Sequence, residues 1–330
     1  MTIAFLFPGQ GAQREGMLHQ LPQHAEVTRT IHEASEVLGL ELDSLDNAEA
    51  LESTAAVQTA LLIAGVATAR ALMAEQIQPA AVAGMSIGAF GAAVACGTLS
   101  FADALPLVRL RGELMQTAFP SGYGLAAIEG LSEVQVESIV ERARTAELPV
   151  YISNINAPRQ IVVAGSDAAL AAVIAQARQR GAHRAEHLRV SVPSHCPLLQ
   201  PVADRLEQHI ARLTLRPPSM PFMSNRGGRA LRDAEAIGRD LASSVAHPVR
   251  WYGALEVLRE LGTKIFIEMA PGHVSTHLVA ELIPDVRAVS IADQGLRYAT
   301  VVAAREKTSE PSVETKTHAN VPTGSKRRDA

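Results

Sequence analysis

Gly84-Met85-Ser86-Ile87-Gly88 decides the reading of this chain. A short apolar run, Pro79 to Ala83, precedes it; a second, Ala89 to Cys96, follows and is closed by Gly97. A strand, a sharp turn and a buried helix are the setting of a nucleophile elbow. The flanking glycines let the backbone turn tightly and leave no side chain over the serine. Ser86 would then stand exposed as a nucleophile, and the amide of Ile87, at a helix start, would donate to a developing oxyanion. A Gly-x-Ser-x-Gly also arises by chance in a chain rich in Gly and Ala. The strand-like run before it and the helix-like run after it favour the elbow. The pentapeptide itself names neither the acyl group nor its acceptor.

The bulk numbers narrow the class. The chain has 330 residues, 47 % hydrophobic and 19 % charged, enough for one large or two modest domains with a real core. A formal net charge of -4 argues against nucleic acid or an anionic membrane as the main partner. Two distant cysteines, Cys96 and Cys196, exclude a disulfide scaffold and a cysteine-based zinc site, and suit a reducing cytoplasm. No metal-spaced cluster and no repeat stands out. The opening residues lack a positive n-region and read as a strand, not a signal peptide. The charge-free stretch Ser53 to Ala69 is shorter than the ~20 residues of a membrane span and reads as a core helix.

Outward from the elbow, Thr2 to Phe7 is an apolar strand running into Pro8-Gly9-Gln10-Gly11-Ala12-Gln13. A dinucleotide reading of its Gly-x-Gly fails because Arg14 stands where the third glycine belongs. A loop aiming backbone N–H groups at an anion, or a plain strand-to-helix turn, both remain open. Ser100 opens a helix reaching Phe119, with Pro106 marking either a kink or a later start. On that helix, Phe101, Ala104, Leu107, Val108, Leu114, Met115, Ala118 and Phe119 share one apolar arc, and Arg111 falls near its middle. A guanidinium is almost never fully buried without a partner. Either an internal carboxylate or a carboxylate brought by a ligand would satisfy it.

From Ser121 to about Arg189 the pattern changes to strand, helix, strand, strand, helix, strand, with the last strand spanning His183 to Val192. This order suggests a small ferredoxin-like insert. Of eleven histidines, His195 is the best placed, at a strand-to-helix junction in Val192-Pro193-Ser194-His195. Further strands are expected at Met220–Ser224, Thr263–Glu268 and Val286–Ile291. Beyond Arg305 the chain turns polar and reads as disordered.

Taken in order, these residues resemble the malonyl-CoA:acyl carrier protein transacylase family. The resemblance rests on Phe7 to Gln13, Gly84 to Gly88, Leu110-Arg111-Gly112 with Met115, Asn154-Ile155-Asn156, Val190 to His195, His247 to Trp251 and Pro271-Gly272-His273. It covers about residues 1 to 295. It implies an α/β fold: an α/β-hydrolase-like core, residues 1–122 and 190–305, with an inserted ferredoxin-like subdomain, residues 123–189, and a polar tail, 306–330. It implies Ser86 as acyl acceptor, His195 as general base and the amides of Gln10 and Ile87 as oxyanion hole. Arg111 would grip the free carboxylate of malonyl, the Ser244 carbonyl would orient the histidine, and Asn154 and Asn156 would lie near the acyl pocket. No metal or cofactor is implied; the partners would be malonyl-CoA and an acyl carrier protein. Most of the family carry histidine where this chain has Met85. Met85, Ala89-Phe90, Gly16 to His19 and Ser53 to Gln58 look more like the epsilon subunit of malonate decarboxylase. The carrier would then be that enzyme's own carrier subunit, rather than the carrier of fatty-acid or polyketide synthesis. A serine hydrolase and a non-catalytic partner subunit are the rival readings.

Overall fold

The structure, a computed structural model, describes residues 2–308 apart from 42 and 120. Its strands in chain order are β1 (Thr2–Phe7), β2 (Ala81–Gly84), β3 (Tyr123–Glu129), β4 (Val150–Ala157), β5 (Gln160–Ser166), β6 (Arg184–His187), β7 (Phe222–Met223), β8 (Ala230–Leu231), β9 (Thr263–Glu268) and β10 (Arg287–Ser290). Two sheets form. The larger runs β10-β9-β1-β2-β7-β8, parallel except for the β7–β8 pair. Consecutive residues of a strand face opposite ways, and β1 uses both faces. Ile3, Phe5 and Phe7 enter one apolar cluster with the helices Thr54–Ala74, Gly88–Ala95 and Phe101–Ala118. Ala4 and Leu6 enter another with Trp251–Glu260 and Val274–Leu282. A parallel sheet covered on both faces is the usual outcome, because each parallel connection crosses over a face.

Side chains set the helix starts. Ser53, Ser100, Ser132, Ser166 and Asp233 each accept a hydrogen bond from a backbone N–H in the first turn of the helix they precede. The helix Thr54–Ala74 has the length and apolarity to cross a membrane, yet 83 % of its most apolar window is buried inside the protein. It carries Arg70, which pairs with Glu33 at 2.6 Å. Phe7 shows why its neighbours are small. A Cβ on Gly91 would lie 2.7 Å from the Phe7 ring, and one on Gly65 would lie 3.1 Å from it. Phe7→Ala should therefore cost about 3–5 kcal/mol. Urea unfolding checks this as a lower midpoint at unchanged slope.

The smaller sheet runs β4-β5-β3-β6, antiparallel throughout. The helices Glu133–Ala143 and Asp167–Gln179 share an apolar cluster with it. Leu125, Val162 and Ala164 point the other way and meet Cys196, so this sheet supports the segment that carries His195.

Four expectations are corrected. The strand expected over His183–Val192 is only Arg184–His187. Leu188 and Val190 alternate like a strand, but they pack against the Cys196 cluster while the chain leaves the ladder. The strand expected at Met220–Ser224 is only Phe222–Met223, since Pro221 has no N–H to give a ladder. Pro106 does not mark a later start of its helix, which begins at Phe101 and runs through it to Ala118. The expected tail begins too early: residues 306–308 continue the helical run that resumes after the kink at Gly295 within Ile291–Thr308. The remainder of that tail, 309–330, lies outside the described residues.

Candidate active site

The C-terminal ends of β1, β2 and β7 lie side by side and deliver Gln10, Ser86 and Asn225 to one edge of the sheet. That edge is where open α/β sheets bind ligands. Ser86 has φ 55°, in the left-handed region that few non-glycine residues enter. The elbow is also pressed against its surroundings. A Cβ on Gly84 would lie 2.1 Å from the Gly88 backbone, and one on Gly88 would lie 2.2 Å from the Phe7 carbonyl oxygen. Neither site admits another residue.

Two groups reach the Ser86 hydroxyl. His195 Nε2 lies 2.7 Å from Ser86 Oγ, and Arg111 Nη2 donates to the same oxygen at 3.2 Å. His195 Nδ1 lies 2.7 Å from the Ser244 carbonyl oxygen. A carbonyl only accepts, so Nδ1 carries the proton and Nε2 presents its lone pair to the serine hydroxyl. The His195 backbone N–H donates to the Val245 carbonyl at 2.7 Å, and its φ of 63° is again left-handed. Burial, and then the positive charge of Arg111, lower the imidazole pKa to about 4; the hydrogen bond to Ser244 works against both. The ring is therefore neutral at pH 7.

Arg111 is fully buried. Its Nη1 donates to Gln58 Oε1 at 2.6 Å, and its Nε is buried without a partner among the described residues. The Phe90 ring centroid lies 5.8 Å from the guanidinium carbon. Among the described residues no ion pair with a carboxylate involves Arg111, and burial alone lowers its pKa, to about 10, which leaves it charged at pH 7. The sequence left its partner open. The structure provides an amide and a serine hydroxyl where an internal acid was the alternative.

The other expected residues are placed as follows. Gln10 follows Gly9, whose Cβ would touch the Met85 carbonyl at 2.9 Å, so the Pro8–Gln13 loop abuts the elbow. Among the described residues the amides of Gln10 and Ile87 have no hydrogen-bond acceptor. Gln58 Nε2 reaches Gln10 Oε1 at 3.5 Å, linking this loop to the Arg111 partner. Asn154 lies on β4 where that strand is bridged to Val249, just before the helix Trp251–Glu260, and its Oδ1 is 2.8 Å from Ser153 Oγ. Ser153 Oγ is also 3.0 Å from the carbonyl of Ser194, beside His195. Asn156 Oδ1 is buried without a partner among the described residues. Neither asparagine hydrogen-bonds to Ser86, Arg111 or His195.

Sequence reasoning missed Asn225. The Ser86 N–H donates to its Oδ1 at 2.9 Å across 139 residues of chain. The available signal was a polar pair, Ser224-Asn225, directly after a short strand in a parallel sheet, where such ends face the ligand edge.

A parallel sheet with a serine elbow, a neutral histidine and a buried arginine on one oxygen defines an acyl-handling protein. The chain belongs to the acyl transferase domain family, whose model matches residues 4–319. It is similar to the malonyl CoA-acyl carrier protein transacylase of Haemophilus influenzae, 37 % identical over 300 residues, covering 88 % of this chain and 95 % of that one. The crystal structure of the acyl-carrier-protein S-malonyltransferase of Burkholderia pseudomallei 1710b superposes with TM-score 0.86 at 37 % identity, covering 91 % of this chain and 100 % of that one. A malonyl-transacylase solved in complex with a type II PKS acyl-carrier protein superposes with TM-score 0.86 at 34 % identity, covering 93 % of this chain and 100 % of that one.

Proposed function

We propose that this chain moves malonyl from malonyl-CoA, through an ester on Ser86, to the phosphopantetheine-type thiol of an acyl carrier protein. The observation that carries the proposal is Arg111: a buried cation with no carboxylate partner among the described residues, 3.2 Å from the serine hydroxyl that His195 also contacts. A half-thioester bearing a free carboxylate supplies what that cation lacks. The names of the relatives point the same way.

Transfer runs in two matched halves. His195 Nε2 takes the Ser86 proton as Oγ bonds to the thioester carbonyl carbon. The amides of Gln10 and Ile87 stabilise the oxyanion, each by about 3 kcal/mol on oxyanion-hole precedent. The carbon–sulfur bond breaks, and the CoA sulfur leaves with the proton from the imidazolium. The carrier thiol then gives its proton to His195, attacks the ester, and Ser86 regains its proton as it leaves. The Ser244 carbonyl keeps the imidazole in the tautomer both halves require. Asn154 acts through Ser153, whose hydroxyl it contacts and which reaches the Ser194 carbonyl beside His195; Asn156 lies two residues further along the same strand.

The finer reading of the fold is an α/β-hydrolase-like core, 1–122 and 190–305, with a ferredoxin-like subdomain over 123–189. The order β4-β5-β3-β6 and the alternation of strand and helix in that segment support it. Two free, buried cysteines suit a cytoplasmic enzyme. Met85, Ala89-Phe90 and Ser53 to Gln58 favour the malonate decarboxylase carrier subunit as acceptor over the carrier of fatty-acid or polyketide synthesis.

Radiolabelled malonyl-CoA tests all of this in one series. The expected result is a label that survives denaturation, is absent from Ser86→Ala, persists in buffer and discharges on adding carrier. Discharge to the decarboxylase carrier, faster than to a fatty-acid or polyketide carrier, supports the finer assignment; the reverse order overturns it. Rapid loss to water makes the protein a hydrolase. No label at all makes it a non-catalytic subunit.

A further inference from the structure

Ser86 is held in a backbone conformation that a non-glycine residue keeps only where its surroundings over-determine it. The side chain of Asn225 is what grips it. Asn225 Nδ2 donates to the Gly84 carbonyl at 2.9 Å, while its Oδ1 accepts the Ser86 N–H at 2.9 Å. The two contacts fall on either side of Met85, so one carboxamide spans the turn. They also fix its orientation, since the carbonyl needs a donor and the amide an acceptor.

Asn225 is itself held from beneath. Asp240 Oδ2 accepts the Asn225 N–H at 2.9 Å, and Asp240 Oδ1 accepts the Ser224 hydroxyl at 2.5 Å and the Arg226 N–H at 3.3 Å. Asn225 and Asp240 are both buried, 3 % and 4 % exposed. Asp240 lies on the helix Ala234–Ser243, which continues directly into the turn Ser244–Ala246. That turn gives the Ser244 carbonyl to His195 Nδ1 and the Val245 carbonyl to His195 N–H. One continuous element thus holds serine and histidine, the first through Asn225 and the second directly.

We propose that Asp240 and Asn225 are positioning residues that hold the Ser86 elbow in register with His195. The inference rests on the reading of Ser86 as acyl acceptor. Leucine at 225 fills nearly the same space and makes neither contact. The Gly84 carbonyl and the Ser86 N–H then lose their partners, and the serine oxygen drifts from its place beside Nε2. A displacement on the order of 1 Å at a reacting atom costs about 100-fold in rate.

The experiment compares wild type, Asn225→Leu and Asp240→Asn in two assays, with circular dichroism and thermal melting to show that each is folded. One assay measures malonyl-ester formation from malonyl-CoA. The other measures covalent labelling of Ser86 by an alkyl sulfonyl fluoride, which needs an aligned serine and histidine but no CoA and no carboxylate. Asn225→Leu is expected to lower kcat and the labelling rate together by about 100-fold, with KM for malonyl-CoA unchanged. Asp240→Asn keeps the size but aims an N–H at one of the three donors, and is expected to lose about tenfold, the worth of one buried hydrogen bond. It also carries the test if the leucine variant does not fold. Labelling within about twofold of wild type in a folded variant overturns the proposal, because a group that merely stabilises the fold leaves serine alignment intact. Wild type that labels normally yet forms no malonyl ester overturns the functional reading instead, and the sulfonyl fluoride arm still decides this one.

Discussion

His195→Ala is expected to slow formation of the Ser86 malonyl ester by roughly 10⁴-fold, the upper range for removing a general base. The size follows from the site. The Ser86 hydroxyl has only two polar neighbours among the described residues, and the other, Arg111, is a donor that cannot take its proton. Without Nε2 the proton has no acceptor within reach. Rapid-quench measurement of the ester checks this, and a loss below about tenfold would remove His195 from the chemistry.

The same ring predicts an unusual pH profile. Its pKa is lowered to about 4, first by burial and then by the charge of Arg111. The neutral form is the base, so lowering the pKa extends activity toward acid. With malonyl-CoA, kcat/KM is expected to stay level as pH falls through about 6.5, where an ordinary histidine half-protonates, and to drop only near the lowered value. Arg111→Ala removes one cause of the depression, so the acid limb, read with acetyl-CoA, moves to higher pH. An unmoved limb would deny that the two side chains interact electrostatically.

The elbow was legible because its signals are local. Gly84 is required by a contact within the turn and Gly88 by the Phe7 carbonyl at the end of the neighbouring strand β1, and in both cases the glycine itself is the mark left in sequence. Arg111 was legible as a buried cation because helical periodicity placed it on an apolar arc, and it is fully buried. Its partner was not legible. Gln58 lies 53 residues away on another helix, and a buried glutamine within an apolar run gives no hint of its direction. The clamp on the elbow was hidden for the same reason: the pair Ser224-Asn225 after a short strand points to the ligand edge of the sheet, but not to a bond with a residue 139 positions earlier. The strand overread at His183–Val192 shows the converse error. Alternation at Leu188 and Val190 reports that one side is buried, and burial against a loop leaves the same trace as burial in a sheet.

Arg111→Ala is expected to cut kcat/KM for malonyl-CoA by roughly 10²–10³-fold while leaving acetyl-CoA within about tenfold of wild type. Removing one partner of a buried, hydrogen-bonded charge pair costs about 2–5 kcal/mol, and each 1.4 kcal/mol is a factor of ten. That range applies because the guanidinium is fully buried and already desolvated, so a carboxylate meeting it is paired outside bulk water. Gln58 contributes by receiving Nη1 at 2.6 Å, which fixes the plane of the fork, and Phe90 stands 5.8 Å from its carbon. Arg111→Lys is expected to recover only part of the loss, since an ammonium offers a point charge and cannot present the bidentate edge. The acetyl arm decides the mechanism. Acetyl-CoA has the same thioester, the same CoA and no carboxylate, so a cation needed only to grip the substrate is dispensable for it. Equal losses on both substrates would mean that Arg111 serves Ser86 itself, through the 3.2 Å contact with its oxygen, and that malonyl is selected elsewhere.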